Sequence, residues 1–163
     1  MNLRRLQGLA LILSAVCLLL PVFDFQTPVT FTIGIILFIL GIPAVYSAQP
    51  SGWVGLVGIV LLELAALISL GFRLDIVPSG LGNSLTLTSA ILGMLGAIII
   101  GWLTTRGHVF PAWVGWVFMV QGLLNVVAGS FNIGAVERWF LTLILMLQTV
   151  ATFAYGYCIY QLK

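Results

Sequence analysis

The sequence predicts an all-α fold, a polytopic integral membrane protein built as a bundle of six transmembrane helices. Of its 163 residues, 61% are hydrophobic and only 6% are charged, whereas a soluble domain carries about 25% charged residues. The apolar residues fall into six stretches, each close to the roughly 20 residues that a helix needs to cross the hydrocarbon core. So few charged side chains cannot cover a water-facing surface, and the six spans leave no room for a separate soluble domain.

The first two predicted spans cover residues 6–22 and 29–45. The first follows Arg4 and Arg5, as a signal peptide would, but no small-residue cleavage site follows its apolar run, so we expect it to be retained. Pro43 lies near the end of the second span and is expected to end or kink the helix.

The other four predicted spans are separated by short turns, apart from one longer connection over residues 73–85. Glycine and proline interrupt that connection, at Pro78, Gly80 and Gly82, which is typical of a loop. The remaining predicted spans are 53–72, 85–104, 111–129 and 138–160.

Two segments of the chain resemble each other at a shift of 60 residues. The tripeptide Trp-Val-Gly at 53–55 recurs at 113–115, and Gly41 recurs as Gly101. This pattern predicts that spans two and three duplicate spans four and five as a repeated hairpin. The alternative is that any helix starting at the interface carries tryptophan there, because the indole N–H stays hydrated.

The distribution of basic residues predicts the orientation in the membrane. With six spans, the Lys and Arg side chains divide four to two between the two faces, in favour of the face that carries both termini. An excess of basic residues marks the cytoplasmic side. We therefore place both termini in the cytoplasm and assign the chain to a prokaryotic-type inner membrane. The basic residues on the predicted cytoplasmic face are Arg4, Arg5, Arg106 and Lys163.

Polar side chains near the midplane of three spans provide the candidate ligand-binding site. Glu63 is the only charged residue of the third span, and Gln121 and Gln148 lie at similar depth in the fifth and sixth. Asn125 and Thr152 follow the two glutamines at i+4, on the same helix faces. Because lipid offers these groups no hydrogen bonds, we expect them to face a small interior cavity. Glu63, whose burial favours the neutral acid, would then bind a cationic or hydrogen-bonding ligand or carry a proton.

Two alternatives remain open at this level. The polar residues could serve only helix packing, with Glu63 hydrogen-bonded to Gln121 or Gln148. The protein would then be an accessory subunit or assembly factor that docks another membrane protein. A bundle this small also has little interior volume, so a transporter of this size would be expected to form a homodimer or a larger complex.

An enzyme is the least favoured class, and no cofactor or metal is predicted. Glu63 has no second carboxylate at its depth for acid–base chemistry. His108 is the single histidine, and Cys17 and Cys158 fall at different depths of the first and last spans, so no metal site can be assembled. The net charge of +2 is too small to predict binding to nucleic acid.

Overall fold

The computed structural model describes residues 2–20, 28–49, 52–76, 81–130 and 138–162. The described residues form α-helices and turns without any strand, which confirms the all-helical prediction for this part of the chain. Pro78, Gly80 and Lys163, on which we based parts of the loop and orientation predictions, lie outside it. The helices are α1 (Leu3–Leu19), α2 (Pro28–Gly41), α3 (Pro43–Ala48), α4 (Gly52–Arg73), α5 (Gly82–Arg106), α6 (Ala112–Ser130) and α7 (Arg138–Gln161).

Five helical segments among the described residues are long and apolar enough to cross a membrane, which indicates an integral membrane protein. One of them, Val29–Ala48, combines α2 and α3. α2 ends at Gly41 and α3 starts at Pro43, because proline lacks the N–H needed to continue the helical hydrogen bonds. Helix α1 has 17 residues and is shorter than these segments, so the count of six spans remains a prediction.

The helices pack as a ring in which each long helix contacts its neighbours in the sequence, and α7 closes the ring against α1. The interfaces α1–α2, α1–α7, α4–α5 and α5–α6 are extensive, whereas α2–α4 and α6–α7 make slighter contacts. The bundle therefore consists of two groups, α7–α1–α2 and α4–α5–α6, that meet along two looser seams. The proposed hairpin repeat would pair α2–α4 with α5–α6, yet these two interfaces differ strongly in extent.

Glycine pairs bring the backbones of neighbouring helices together at one end of the bundle. A Cβ atom added at Gly156 on α7 would lie 2.7 Å from the carbonyl oxygen of Gly8 on α1. A Cβ added at Gly101 on α5 would lie 2.6 Å from the carbonyl oxygen of Gly115 on α6. Small residues permit such close approach, and dispersion contacts and interhelical hydrogen bonds can then hold the helices together without a hydrophobic driving force.

A buried aromatic cluster fills the bundle beside these contacts. Tyr155 is 1% exposed, and its ring packs edge-to-face against Phe110 and Phe118, at centroid distances of 5.0 and 5.5 Å. Its hydroxyl forms a 2.8 Å hydrogen bond with the Thr104 hydroxyl on α5. This bond joins the two helix groups across the interior and closes one end of the bundle.

Candidate functional site

A cavity of about 620 Å³ occupies the other half of the bundle. Three helices of the first group contribute the end of α1, most of the length of α2 and the first half of α7. The second group contributes the last three turns of α4, the start of α5 and the second half of α6. Phe38, Leu62 and Phe118 belong both to the buried core and to the cavity lining, so they form its floor. The volume falls within the range of about 300–1,000 Å³ that is typical of small-molecule sites.

Three side-chain amides face this cavity, from Gln121 and Asn125 on α6 and Gln148 on α7. Gln121 is only 5% exposed. No described residue forms a hydrogen bond with any of these three side-chain amides, and the amides do not bond to one another. A buried amide such as that of Gln121 is normally hydrogen-bonded in proteins, and the donors and acceptors of all three side chains remain available to water or a ligand.

The serine hydroxyls of the cavity wall already have partners. Ser69 on α4 and Ser89 on α5 lie 3.1 Å apart, and each donates to the carbonyl oxygen of Ala65 at 2.9 Å. These bonds tie α4 to α5 and leave mainly acceptor lone pairs toward the cavity. The amides are therefore the polar groups with the most unused hydrogen-bonding capacity.

Two arginines line the cavity at its outer end. Arg73 is the last residue of α4 and Arg138 is the first of α7, and each lies beside one of the two looser seams. The Arg73 guanidinium stacks over the Phe31 ring of α2, 4.5 Å from the centroid. No Asp or Glu of the described chain lines the cavity, so its formal charge in this part of the structure is positive.

The opposite wall is apolar. Leu18 of α1 and Phe31, Ile35 and Phe38 of α2 contribute only hydrocarbon and aromatic surface to the cavity. The amides all come from α6 and α7, whereas α1 and α2 contribute no polar side chain to the lining. This arrangement is typical of a small-molecule site, in which a few polar groups orient a largely apolar ligand.

Glu63 is half-buried and is not among the residues that line the cavity. Leu62, Ala66 and Ser69 of the same helix do line it, and Glu63 is rotated by about 100° from Leu62 around the helix axis. Glu63 makes no hydrogen bond or ion pair with any described residue. The ionisable side chains of the cavity are thus arginines, whereas the sequence predicted a glutamate there.

Thr152 also lies apart from the cavity. It is 1% exposed, and its hydroxyl has no partner among the described side chains and backbone atoms. The structure thus brings together Gln121, Asn125 and Gln148 of the five predicted site residues, and places Glu63 and Thr152 elsewhere.

Helical spacing within single helices could have identified both arginines. Ser69 and Arg73 extend the cavity-facing residues of α4 by an i, i+4 step. On α7, Arg138 lies about 80° around the helix axis from Gln148, at the edge of a broad stripe that also carries Leu141 and Leu145. Arginines at the ends of spanning helices usually act as membrane-interface anchors. The depth of an arginine in the membrane does not distinguish an interface anchor from a residue that lines a cavity.

We also searched the described part of the chain for clustered metal ligands. Within the described ranges, no three His, Cys, Asp or Glu side chains lie close enough together to hold an ion, and Cys17 and Cys158 are free thiols.

Comparison with protein-family models, curated proteins and solved structures finds no match to this chain. Its function is therefore inferred from the cavity itself.

Proposed function

We propose that this protein is a six-span membrane protein with both termini in the cytoplasm, and that it binds or moves a small ligand through the cavity between its two helix groups. The observation that supports this most directly is Gln121, a buried amide that faces a cavity of about 620 Å³ without a hydrogen-bond partner among the described residues. A packing role would instead join the amides to one another across the helix interfaces. Because Glu63 lies outside the cavity lining, a ligand fits the geometry better than a proton.

The cavity lies at the end of the bundle where α4 ends and α7 begins. Arg4 at the start of α1 donates to the carbonyl oxygen of Ser47 at the end of α3, at 3.2 Å, so these two helix ends share the other face. With the termini inside, the cavity is on the external side, and the aromatic cluster around Tyr155 separates it from the cytoplasm. This is the geometry expected of an outward-facing binding site.

Cysteine accessibility tests this proposal. In a background with Cys17→Ala and Cys158→Ala, Gln121→Cys is expected to react with a membrane-impermeant methanethiosulfonate reagent from the external side, because the thiolate forms only in water. The matched control is Val120→Cys, on the same helix at a position 45% exposed on the outer surface of the bundle. Labelling of Gln121→Cys no faster than Val120→Cys would refute an accessible cavity.

A second candidate function is the accessory subunit, and Glu63 is the observation that favours it. A carboxyl group in a transmembrane helix, without a described partner in its own chain, needs a polar neighbour to offset its cost, and another protein could supply one. This function predicts that Glu63→Gln reduces the size of the complex extracted in mild detergent, while Gln121→Cys labelling stays unchanged. If the complex keeps its size in Glu63→Gln, the accessory-subunit function is ruled out. The size of the extracted complex also shows whether the protein forms a homodimer.

A further inference from the structure

We infer that the cavity takes an amphipathic anion, with its acidic group at Arg73 and Arg138 and its apolar body between α2 and the amides of α6 and α7. This inference rests on the proposed function and specifies the ligand class. It follows from three features of the cavity, namely its charge, its depth and the separation of its polar and apolar walls.

The charge comes from the two arginines. Among the described lining residues they are the only ionisable groups, and both lie at the outer end of the cavity, where α4 stops and α7 starts. Stacking on Phe31 holds the plane of the Arg73 guanidinium while leaving its N–H edge free to bind a carboxylate or phosphate. Arg138 lies at a helix N-terminus, where the helix dipole disfavours a cation and favours a bound anion.

The depth provides room for an apolar body below the acidic group. Arg138 and Gln148 are ten residues apart on α7, which corresponds to roughly 15 Å along the helix. Along this length the ligand would contact Phe31, Ile35 and Phe38 on one side. At the floor, Gln121 can donate to or accept from a polar substituent, or hold a water molecule.

The separation of the two walls excludes other ligand classes. A cation would meet two guanidinium groups on entry, and a small inorganic anion would leave the Phe31–Phe38 wall of α2 in contact with water. A neutral lipid would offer no charged group to the guanidinium of Arg73. An acid with a hydrocarbon or aromatic body satisfies both walls.

The first test compares two reagents of opposite charge on Gln121→Cys in the cysteine-free background. We compare the ratio of the labelling rate of the anionic sulfonatoethyl methanethiosulfonate to that of the cationic trimethylammonioethyl reagent. This ratio is expected to fall about fivefold when Arg73→Gln and Arg138→Gln are introduced together, as expected for two positive charges roughly 15 Å from the thiol in water-like surroundings. Arg73→Lys should retain the preference. Arg106→Gln is the matched control, since that arginine stacks on Trp102 at 4.1 Å and does not line the cavity.

The second test uses protection by added ligands in proteoliposomes. Decanoate, below its critical micelle concentration, is expected to slow the labelling of Gln121→Cys, and Arg73→Gln should weaken this protection by roughly tenfold, the size of one lost charge-assisted hydrogen bond. Equal protection by decanol or decyltrimethylammonium would overturn the inference. Protection by inorganic phosphate alone would overturn the requirement for an apolar body.

The two proposals fail in different ways. If Gln121→Cys does not react at all, the accessible cavity is refuted, and with it the proposed function. If it reacts without any preference between the two charged reagents, and decanoate gives no protection, only the anionic ligand class is refuted.

Discussion

Two glycines one helical turn apart on α5 provide a sensitive test of how closely α4 and α5 pack. A Cβ atom added at Gly96 would lie 2.7 Å from Leu62 Cγ and 2.8 Å from the Gly58 carbonyl oxygen. A Cβ added at Gly93 would meet only the Cβ of Ala65, at an ordinary contact distance of 3.5 Å. Gly96→Ala therefore requires the α4 backbone to move, whereas Gly93→Ala does not.

The difference in free energy of unfolding between the two variants isolates the contribution of helix packing. Replacing glycine with alanine inside a helix favours folding by up to about 1 kcal/mol through backbone entropy, and this gain is the same at both positions. Overpacking a close contact costs roughly 1–3 kcal/mol. Gly93→Ala is expected to match or slightly exceed the wild type in free energy of unfolding, and Gly96→Ala to fall about 1–3 kcal/mol below Gly93→Ala.

The assay is reversible unfolding in bicelles by added SDS, followed by circular dichroism. Retained Gln121→Cys labelling in both variants would show that the bundle keeps its cavity. Equal stability of the two variants, or a higher stability for Gly96→Ala, would refute the close approach of α4 and α5.

Three further predictions test other parts of the structure. Tyr155→Phe should lower the free energy of unfolding by about 1 kcal/mol, because it leaves the buried Thr104 hydroxyl without a partner; additive effects in a double-mutant cycle with Thr104→Val would contradict the bond. Ser14 donates to a backbone carbonyl on α2 at 2.8 Å, so Ser14→Ala should cost roughly 0.5–2 kcal/mol, and an unchanged SDS-unfolding midpoint would count against that contact. For topology, single cysteines replacing His108 and Asp75 should react with an impermeant maleimide from the cytoplasmic and external sides respectively, and reaction of both from one side would rule out the proposed orientation.

The helical segments were predictable from the sequence because the bilayer imposes a local rule. A spanning segment must satisfy its backbone hydrogen bonds internally, so an apolar stretch of sufficient length already specifies a helix. The segment from Trp53 to Phe72 shows this, since α4 runs from Gly52 to Arg73. The stripe of Gln121 and Asn125 was predictable for a similar reason, because i, i+4 spacing places two residues on one face whatever the neighbouring helices are.

The surroundings of Glu63 were not predictable in this way. Depth can be counted along the chain, but which way a helix face points depends on its rotation against its neighbours. In a soluble protein, the contrast between polar and apolar faces fixes that rotation. Here lipid and core are equally apolar, so the sequence of α4 does not distinguish an inward Glu63 from a half-buried one.

The sequence by itself determined that the chain is helical and suited to a membrane, and that polar amides recur on single faces of α6 and α7. The tertiary structure decided which helices adjoin, where the two looser seams lie, and that Arg73 and Arg138 share a cavity with the amides. The reason is that the first set of properties depends on hydrogen bonds and solvation within one helix. The second depends on close backbone contacts between helices, such as those at Gly8, Gly96 and Gly156, whose partners lie far away in the chain.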